Sequence, residues 1–183
     1  NRFWVRDACL MLNALLTLNH DECCERAFEH SFLKRQTLRG FFQSQQGEWD
    51  ANGQVLWLAE RYRLLTGRLP SKRMCKALRK GAEWIRKKRL PNTPDQEHAG
   101  LLPPGFSAEH LGPNNYYYWD DFWGVGGLYA ASSFFRHAGD DAYANELGEL
   151  AGDFRRSVGA SIAAIPEKRR RGAIPAARGR RRE

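Results

Sequence analysis

The sequence predicts an all-α protein, and two recurring patterns of apolar residues lead to that prediction. Residues 8–18 and 55–65 are apolar around almost the whole helical circumference, which is typical of helices buried on most sides. Residues 24–32, 74–85 and 147–158 instead place their apolar side chains on one face, at helical spacing. No segment combines strand-like alternation with the turn residues of a hairpin, so we expect no sheet.

The two kinds of helix alternate along the chain. The predicted helices cover about residues 7–18, 22–38, 51–66, 71–89, 118–137 and 141–162, and the first of each pair is the apolar one. Short connections join the two helices of a pair, as in antiparallel helical hairpins. Three hairpins with an inner apolar and an outer amphipathic helix describe a double-layered array, which either stays open as a solenoid or closes into a toroid.

The spacing between the hairpins favours the toroid. Asp7 and Asp50 are 43 residues apart, whereas Asp50 and Asp120 are 70 residues apart, so the chain lacks the fixed period of a solenoid. The excess length is a loop from about Leu90 to Tyr117. Loops of this length inside a compact domain are usually functional.

The net charge of +8 is concentrated at the C-terminal end of the chain. Residues 167–183 hold eight Lys or Arg and two Glu, which leaves only +2 for the first 166 residues. We therefore predict one domain over residues 1–165 and a basic, disordered tail over residues 166–183. Because a block of like charges is typically a solvated end, we expect no nucleic-acid partner.

Composition excludes several other classes of protein. The longest apolar runs are far shorter than the ~20 residues of a membrane-spanning helix, so we expect no membrane partner. The four cysteines and five histidines show no metal-ligand spacing, so neither a metal site nor a cofactor is expected. Cysteines that act as small buried hydrophobes suit a reducing compartment, and we expect a cytoplasmic location. The chain begins at Asn1 without a Met, so its N-terminus is treated as incomplete.

Aromatic residues stand beside an acid at the start of each apolar helix, in residues 3–7, 48–50 and 116–123. Each acid alone could be a helix cap, stabilised by the unpaired N–H groups and the helix dipole. Inner helices that run the same way would bring the three acids to one mouth of a ring. Carboxylates and flat aromatic rings around one concavity suit a sugar, so we predict a carbohydrate partner.

Several stretches resemble motifs of one enzyme family. Residues 3–8 (Phe-Trp-Val-Arg-Asp-Ala) resemble the aromatic-x-x-Arg-Asp-Ala stretch of glucoamylase-like enzymes. Residues 50–67 are similar to their inner helix, which begins Asp-x-x-Gly-Gln and ends Tyr-x-x-x-x-Gly. Residues 117–120 are similar to a trehalase substrate-binding motif, and residues 119–121 resemble the Trp-Glu-Glu of glucoamylases. Over residues 1–165 the chain thus resembles the N-terminal half of a catalytic domain of the six-hairpin glycosidase superfamily.

This resemblance implies about half of an (α/α)6 toroid and a glycoside hydrolase-like activity, the inverting hydrolysis of a glucoside or related glycan by paired carboxylates. It implies Asp120 or Asp121 as the general acid, with Glu109 of the long loop as the rival acid. The trehalase-like motif would instead give Asp120 a binding role. The substrate-binding residues that it implies are Trp4, Arg6, Asp7, Trp49, Asp50, Tyr117, Tyr118 and Trp119.

Three hairpins are half of the family's six, and the family places the general base in the second half. We therefore expect the chain alone to lack significant glycosidase activity and to self-associate through the apolar surface that a half-ring exposes. Two alternatives remain open, a non-catalytic α/α scaffold and a sugar-binding relic. A scaffold should present an apolar or charged groove, whereas a glycosidase should present a closed pocket of acids and tryptophans.

Overall fold

The computed structural model describes residues 3–93, 96–106, 113–170 and 172–178, and these contain helices and no strand, which confirms the all-α prediction. The helices are α1 (Val5–Thr17), α2 (Asp21–Ala27), α3 (Leu33–Arg35), α4 (Ala51–Thr66), α5 (Lys72–Lys88), α6 (Tyr118–His137), α7 (Asp141–Ala163) and α8 (Glu167–Arg170). A π-helical segment, Phe28–Phe32, joins α2 to α3. The second predicted helix is therefore present, divided into three by a change in hydrogen-bond register.

Helix α4 lies at the centre of the arrangement. It contacts α1 and α6, and α5 packs against both α4 and α6. Helix α2 packs on α1, and α7 packs on α6. The three apolar helices are therefore neighbours in a row, each with its own amphipathic helix beside it, and one apolar core joins them all.

Two glycines allow α4 and α6 to approach each other closely. A Cβ atom on Gly53 would lie 2.1 Å from the main-chain oxygen of Trp123, and one on Gly127 would lie 2.4 Å from the Cα atom of Gly53. Only a residue without a side chain permits this approach of two backbones. The contact joins the first turn of α4 to residues 123–127 of α6, so it holds the start of α4 against the first half of α6.

Local signals set several of the helix ends. Helix α4 is followed directly by Gly67, whose φ of 70° is the left-handed conformation that favours glycine after a helix. The Ser71 side chain accepts a hydrogen bond from the N–H of Met74 at the start of α5. Asp140 accepts one from the N–H of Tyr143 at the start of α7. Both are N-caps, which satisfy donors that the helix itself cannot pair.

The long connection between α5 and α6 carries no helix within its described residues. Leu101 and Leu102 are buried in it. Arg89 donates from Nε to the carbonyl oxygen of Gly100 over 2.7 Å and from Nη2 to the Asp153 carboxylate of α7 over 3.0 Å. The predicted long loop is thus anchored on α7 and does not extend freely into solvent.

The C-terminal segment, for which the charge count predicts a disordered tail, is described over residues 166–170 and 172–178. Its described part forms α8 and then returns to the start of α6, where Ala177 is fully buried and forms an isolated antiparallel bridge with Tyr117. The N–H of Tyr118 donates to the carbonyl oxygen of Ala176 over 3.0 Å. Small apolar residues between the basic runs permit this main-chain pairing, and net charge alone does not reveal them.

Candidate functional site

Asp50, immediately before α4, joins three helices through one carboxylate oxygen. Its Oδ2 accepts hydrogen bonds from Nη1 of Arg6 at 3.3 Å, from Nε2 of Gln54 at 3.0 Å and from Nε1 of Trp119 at 2.8 Å. The donors come from α1, α4 and α6, so each apolar helix contributes one. The structure thus brings together Arg6, Asp50 and Trp119, three residues that the sequence predicts to share a site.

Asp120, in the first turn of α6, is buried beside this junction. Its pKa is raised well above the ordinary value, first because burial disfavours the charged form and then because Asp50, Asp121 and Glu48 are acidic neighbours. A hydrogen bond from the main-chain N–H of Asp50 opposes the shift. A raised pKa favours the protonated carboxyl group, which is the form that a general acid requires.

Asp121, the other acid of the pair, has a different environment. Its Oδ1 accepts a hydrogen bond from the main-chain N–H of Leu102 over 2.9 Å. Burial raises its pKa to about 7, against the opposing effects of that hydrogen bond and of the Arg89 charge. Asp121 therefore anchors the long loop, and of the two predicted acids only Asp120 lies against Asp50.

Three tryptophans form a row along the faces of α4 and α6. The rings of Trp57 and Trp123 meet edge to face with centroids 5.5 Å apart, and those of Trp123 and Trp119 do so at 6.0 Å. Trp119 is 41% exposed although its indole N–H is bonded to Asp50. The site thus presents an open aromatic ring directly beside an ion pair, which are the two features that bind sugar faces and sugar hydroxyls.

Three other predicted substrate-binding residues are buried. Trp49 lies in the core, and its indole N–H donates to the carbonyl oxygen of Pro104 over 3.3 Å. Tyr118 is buried with its hydroxyl 2.9 Å from Oγ of Ser161, and Tyr117 is buried as well. None of the three rings has an open face for a ligand, so their role is packing and loop positioning.

The remaining predicted residues lie near the junction or outside the described part. Asp7 is exposed in the first turn of α1, next to Arg6, and no contact with Asp50 or Asp120 is found for it within the described residues. Trp4 is half-buried immediately before α1. Glu109, the rival acid, lies outside the residues that the structure describes.

Two members of the junction were not predicted as site residues. Gln54 is fully buried and bonds to Asp50 from one helical turn further along α4. Glu48 is buried and adds to the acidic surroundings of Asp120. Both lie within four residues of Asp50. The i, i+4 spacing indicates Gln54, and the acidic character of residue 48, two positions before Asp50, indicates Glu48.

Comparison of the chain with protein-family models, curated proteins and solved structures finds no match. Across the described ranges, no helix combines the length and the apolar character that crossing a membrane requires. The same residues contain no group of three or more His, Cys, Asp or Glu side chains placed to hold a metal ion. What the site can do therefore follows from its own side chains.

The buried acids predict an unusual pH dependence of stability. Because the pKa of Asp121 is about 7 in the folded protein and about 3.9 in an unfolded chain, the folded state holds the extra proton between those values. The free energy of unfolding should therefore fall as pH rises from about 4 to 7, by up to about 1.4 kcal/mol per pH unit for this group. In Asp121→Asn the amide oxygen still accepts from Leu102, and this part of the pH dependence should vanish.

Urea unfolding at pH 4.5 and 7.5 measures the effect as the difference between wild type and variant. We expect Asp121→Asn to gain stability relative to wild type as pH rises. Glu149→Gln, which replaces an exposed acid, is the control. Its free energy of unfolding should change with pH as that of wild type does. Parallel curves for Asp121→Asn as well would contradict the assignment of a raised pKa to this carboxyl group.

Proposed function

We propose that the chain is about half of an (α/α)6 toroid and that its site binds a glucoside or related glycan as part of an inverting glycoside hydrolase. The observation that supports this most is the Asp50 junction, where Arg6 and Trp119 meet one carboxylate beside the buried Asp120, whose pKa is raised. The row of apolar helices, each paired with an amphipathic one, is the arrangement that such a toroid would contain.

Each group at the junction has a role in this proposal. The Arg6–Asp50 ion pair binds sugar hydroxyls, and the exposed ring of Trp119 stacks on a sugar face. Asp120 is the general acid that protonates the leaving oxygen. Inversion also requires a general base roughly 6.5–9.5 Å from the acid. The family resemblance places that base in the second half of the ring, so this chain alone should not turn over substrate.

A non-catalytic scaffold is the second candidate, and the exposed apolar side chains of α1 and α6 favour it. Met11 is 62% exposed, and Leu10, Phe122 and Tyr129 are also largely exposed. Exposed apolar side chains in such numbers are typical of surfaces that another protein covers. In the toroid proposal that covering surface belongs to the rest of the ring or to a second copy of the chain, so the face is also compatible with a sugar site.

Sugar binding at the junction tests the proposal. Titration calorimetry with maltose, trehalose and isomaltose should give a dissociation constant in the millimolar range for at least one of them, with quenching of tryptophan fluorescence. Asp50→Asn removes the ion pair with Arg6, and Trp119→Phe removes the bonded indole, so each should weaken binding at least tenfold. Glu149→Gln, an exposed acid on α7, should leave binding unchanged.

Three results would overturn parts of the proposal. Sugar binding that survives both Asp50→Asn and Trp119→Phe would place the sugar elsewhere. No binding of any sugar, together with a stable dimer in sedimentation, would favour the scaffold. Hydrolysis of an aryl glucoside above the background of the Asp120→Asn, Asp121→Asn double variant would refute the account of a base outside this chain.

A further inference from the structure

A groove of about 760 Å³ lies between the turn at residues 37–40 and the C-terminal half of α5. It is apart from the Asp50 junction. Its walls carry cationic side chains and one apolar side chain that projects into solvent: Arg39, Arg79, Lys80, Lys87, Lys88 and Leu38. Glu83 is the one carboxylate among the residues that line it.

Most of this positive charge is uncompensated. Arg79 pairs with Asp140. Within the described ranges, no carboxylate lies at ion-pair distance from Arg39, Lys80, Lys87 or Lys88. Lys88 is partly buried, and burial lowers its pKa because the charged form loses water. An anion in the groove would stabilise these charges together.

The aromatic surface near the groove is already used within the protein. Trp84 stacks on Phe41 with ring centroids 4.6 Å apart and planes 18° from parallel. The Lys88 ammonium lies 3.8 Å from the centroid of Trp49 and 5.8 Å from that of Trp84. The groove therefore presents charge, an aliphatic side chain and the part of the Trp84 ring that Phe41 leaves uncovered.

The two walls of the groove are fixed to each other. The buried amide of Asn52 donates from Nδ2 to the carbonyl oxygens of Gly40 at 3.0 Å and Gly81 at 2.9 Å. Gln36 donates from Nε2 to the carbonyl oxygen of Ala77 over 2.7 Å. Asn52 thus bridges the turn and α5, and Gln36 joins the residue before the turn to α5 directly. Because these three hydrogen bonds hold the two walls together, the groove exists before any ligand binds and its formation costs little ordering.

We propose that this groove docks an acidic peptide segment of a partner protein. Leu38 is 97% exposed and offers a contact for an apolar side chain, while the lysines offer positive charge to carboxylates. Lys80 and Lys87 are separated by about 10 Å along α5, at ~1.5 Å per residue. An extended peptide covers the same distance in three residues at ~3.3 Å each. A nucleic acid offers Leu38 no aliphatic side chain and would find one partly covered ring, that of Trp84, to stack on.

Fluorescence anisotropy with a labelled 12-residue peptide, four repeats of Glu-Glu-Leu, tests the docking. We expect micromolar affinity in low salt that weakens as salt is raised. Arg39→Glu with Lys80→Glu should raise the dissociation constant at least tenfold. The control, Lys72→Glu with Arg73→Glu, makes the same charge change at exposed positions at the other end of α5 and should raise it less than threefold. Leu38→Ser should weaken binding while leaving the salt dependence unchanged.

Any of three outcomes would overturn this proposal. The first is that the peptide does not bind wild type at micromolar concentrations. The second is that the control variant loses as much affinity as the groove variant. Alternatively, a single-stranded oligonucleotide or a sulfated polysaccharide could bind as tightly as the peptide and be lost in the same groove variant, in which case the groove is a general polyanion site. The sugar titrations at Asp50 are unaffected by any of these results.

Discussion

Replacing Gly53 by alanine should lower the free energy of unfolding by roughly 3 kcal/mol or more, since overpacking a close contact is strongly destabilising. The added Cβ atom would stand 2.1 Å from the main-chain oxygen of Trp123, and that oxygen belongs to a helix that cannot move alone. Helices α4 and α6 would have to separate along their whole contact. For a chain of this size, the loss corresponds to a fall in Tm of roughly 6–12 °C.

Gly126→Ala is the matched control because it lies next to Gly127 on the same helix. No atom lies within 4 Å of a Cβ atom added there, and α6 gains an alanine inside a helix, worth up to about 1 kcal/mol. We expect this variant to unfold at the wild-type temperature or above it. A cost below 1 kcal/mol for Gly53→Ala would show that α4 and α6 do not approach as described.

The second large loss in the free energy of unfolding is expected from Asn52→Ala. The Asn52 amide is fully buried, accepts from the N–H of Phe42 at 2.8 Å, and donates to the carbonyl oxygens of Gly40 and Gly81. Alanine would leave the buried N–H of Phe42 and the Gly81 oxygen without this partner, which should cost about 2–4 kcal/mol. Thermal unfolding measures the loss directly.

Asn145→Ala provides the comparison for Asn52. Asn145 is an exposed amide on α7 whose oxygen accepts one hydrogen bond from Arg136, so its removal should change stability by less than about 0.5 kcal/mol. Equal effects for the two asparagines would mean that the Asn52 hydrogen bonds contribute no more than a surface contact does. Asn52→Ala should also weaken peptide docking, because Asn52 fixes the walls of the groove.

The helices were predictable from the sequence because helical periodicity is a local property. The side of the helix on which each residue lies was harder to predict. Consecutive residues of a helix are rotated by about 100°, so the residues from Tyr118 to Asp121 point in four directions. Trp119 is exposed, Tyr118 enters the core and Asp121 bonds to the loop, yet one aromatic and acidic motif placed all three in the predicted site.

Contacts between distant segments were predictable only in part. Asp50 and Trp119 are 69 residues apart in sequence, and only their shared position at helix starts indicated that they meet. Nothing local indicates that Asp121 accepts from Leu102, or that Ala177 returns to Tyr117. These pairings depend on how the loop and the C-terminal segment cross the helix ends. The periodic pattern of apolar residues does not specify that path.

The row formed by Trp57, Trp123 and Trp119 gives the protein an intrinsic optical signature. Indole rings held edge to face within 6.0 Å couple their electronic transitions, so the folded chain should show a strong near-ultraviolet circular dichroism band. The band should disappear as soon as α4 and α6 lose their fixed packing, even while the helices themselves persist. Loss of tertiary order can therefore be followed separately from loss of helix in the same sample, without a label.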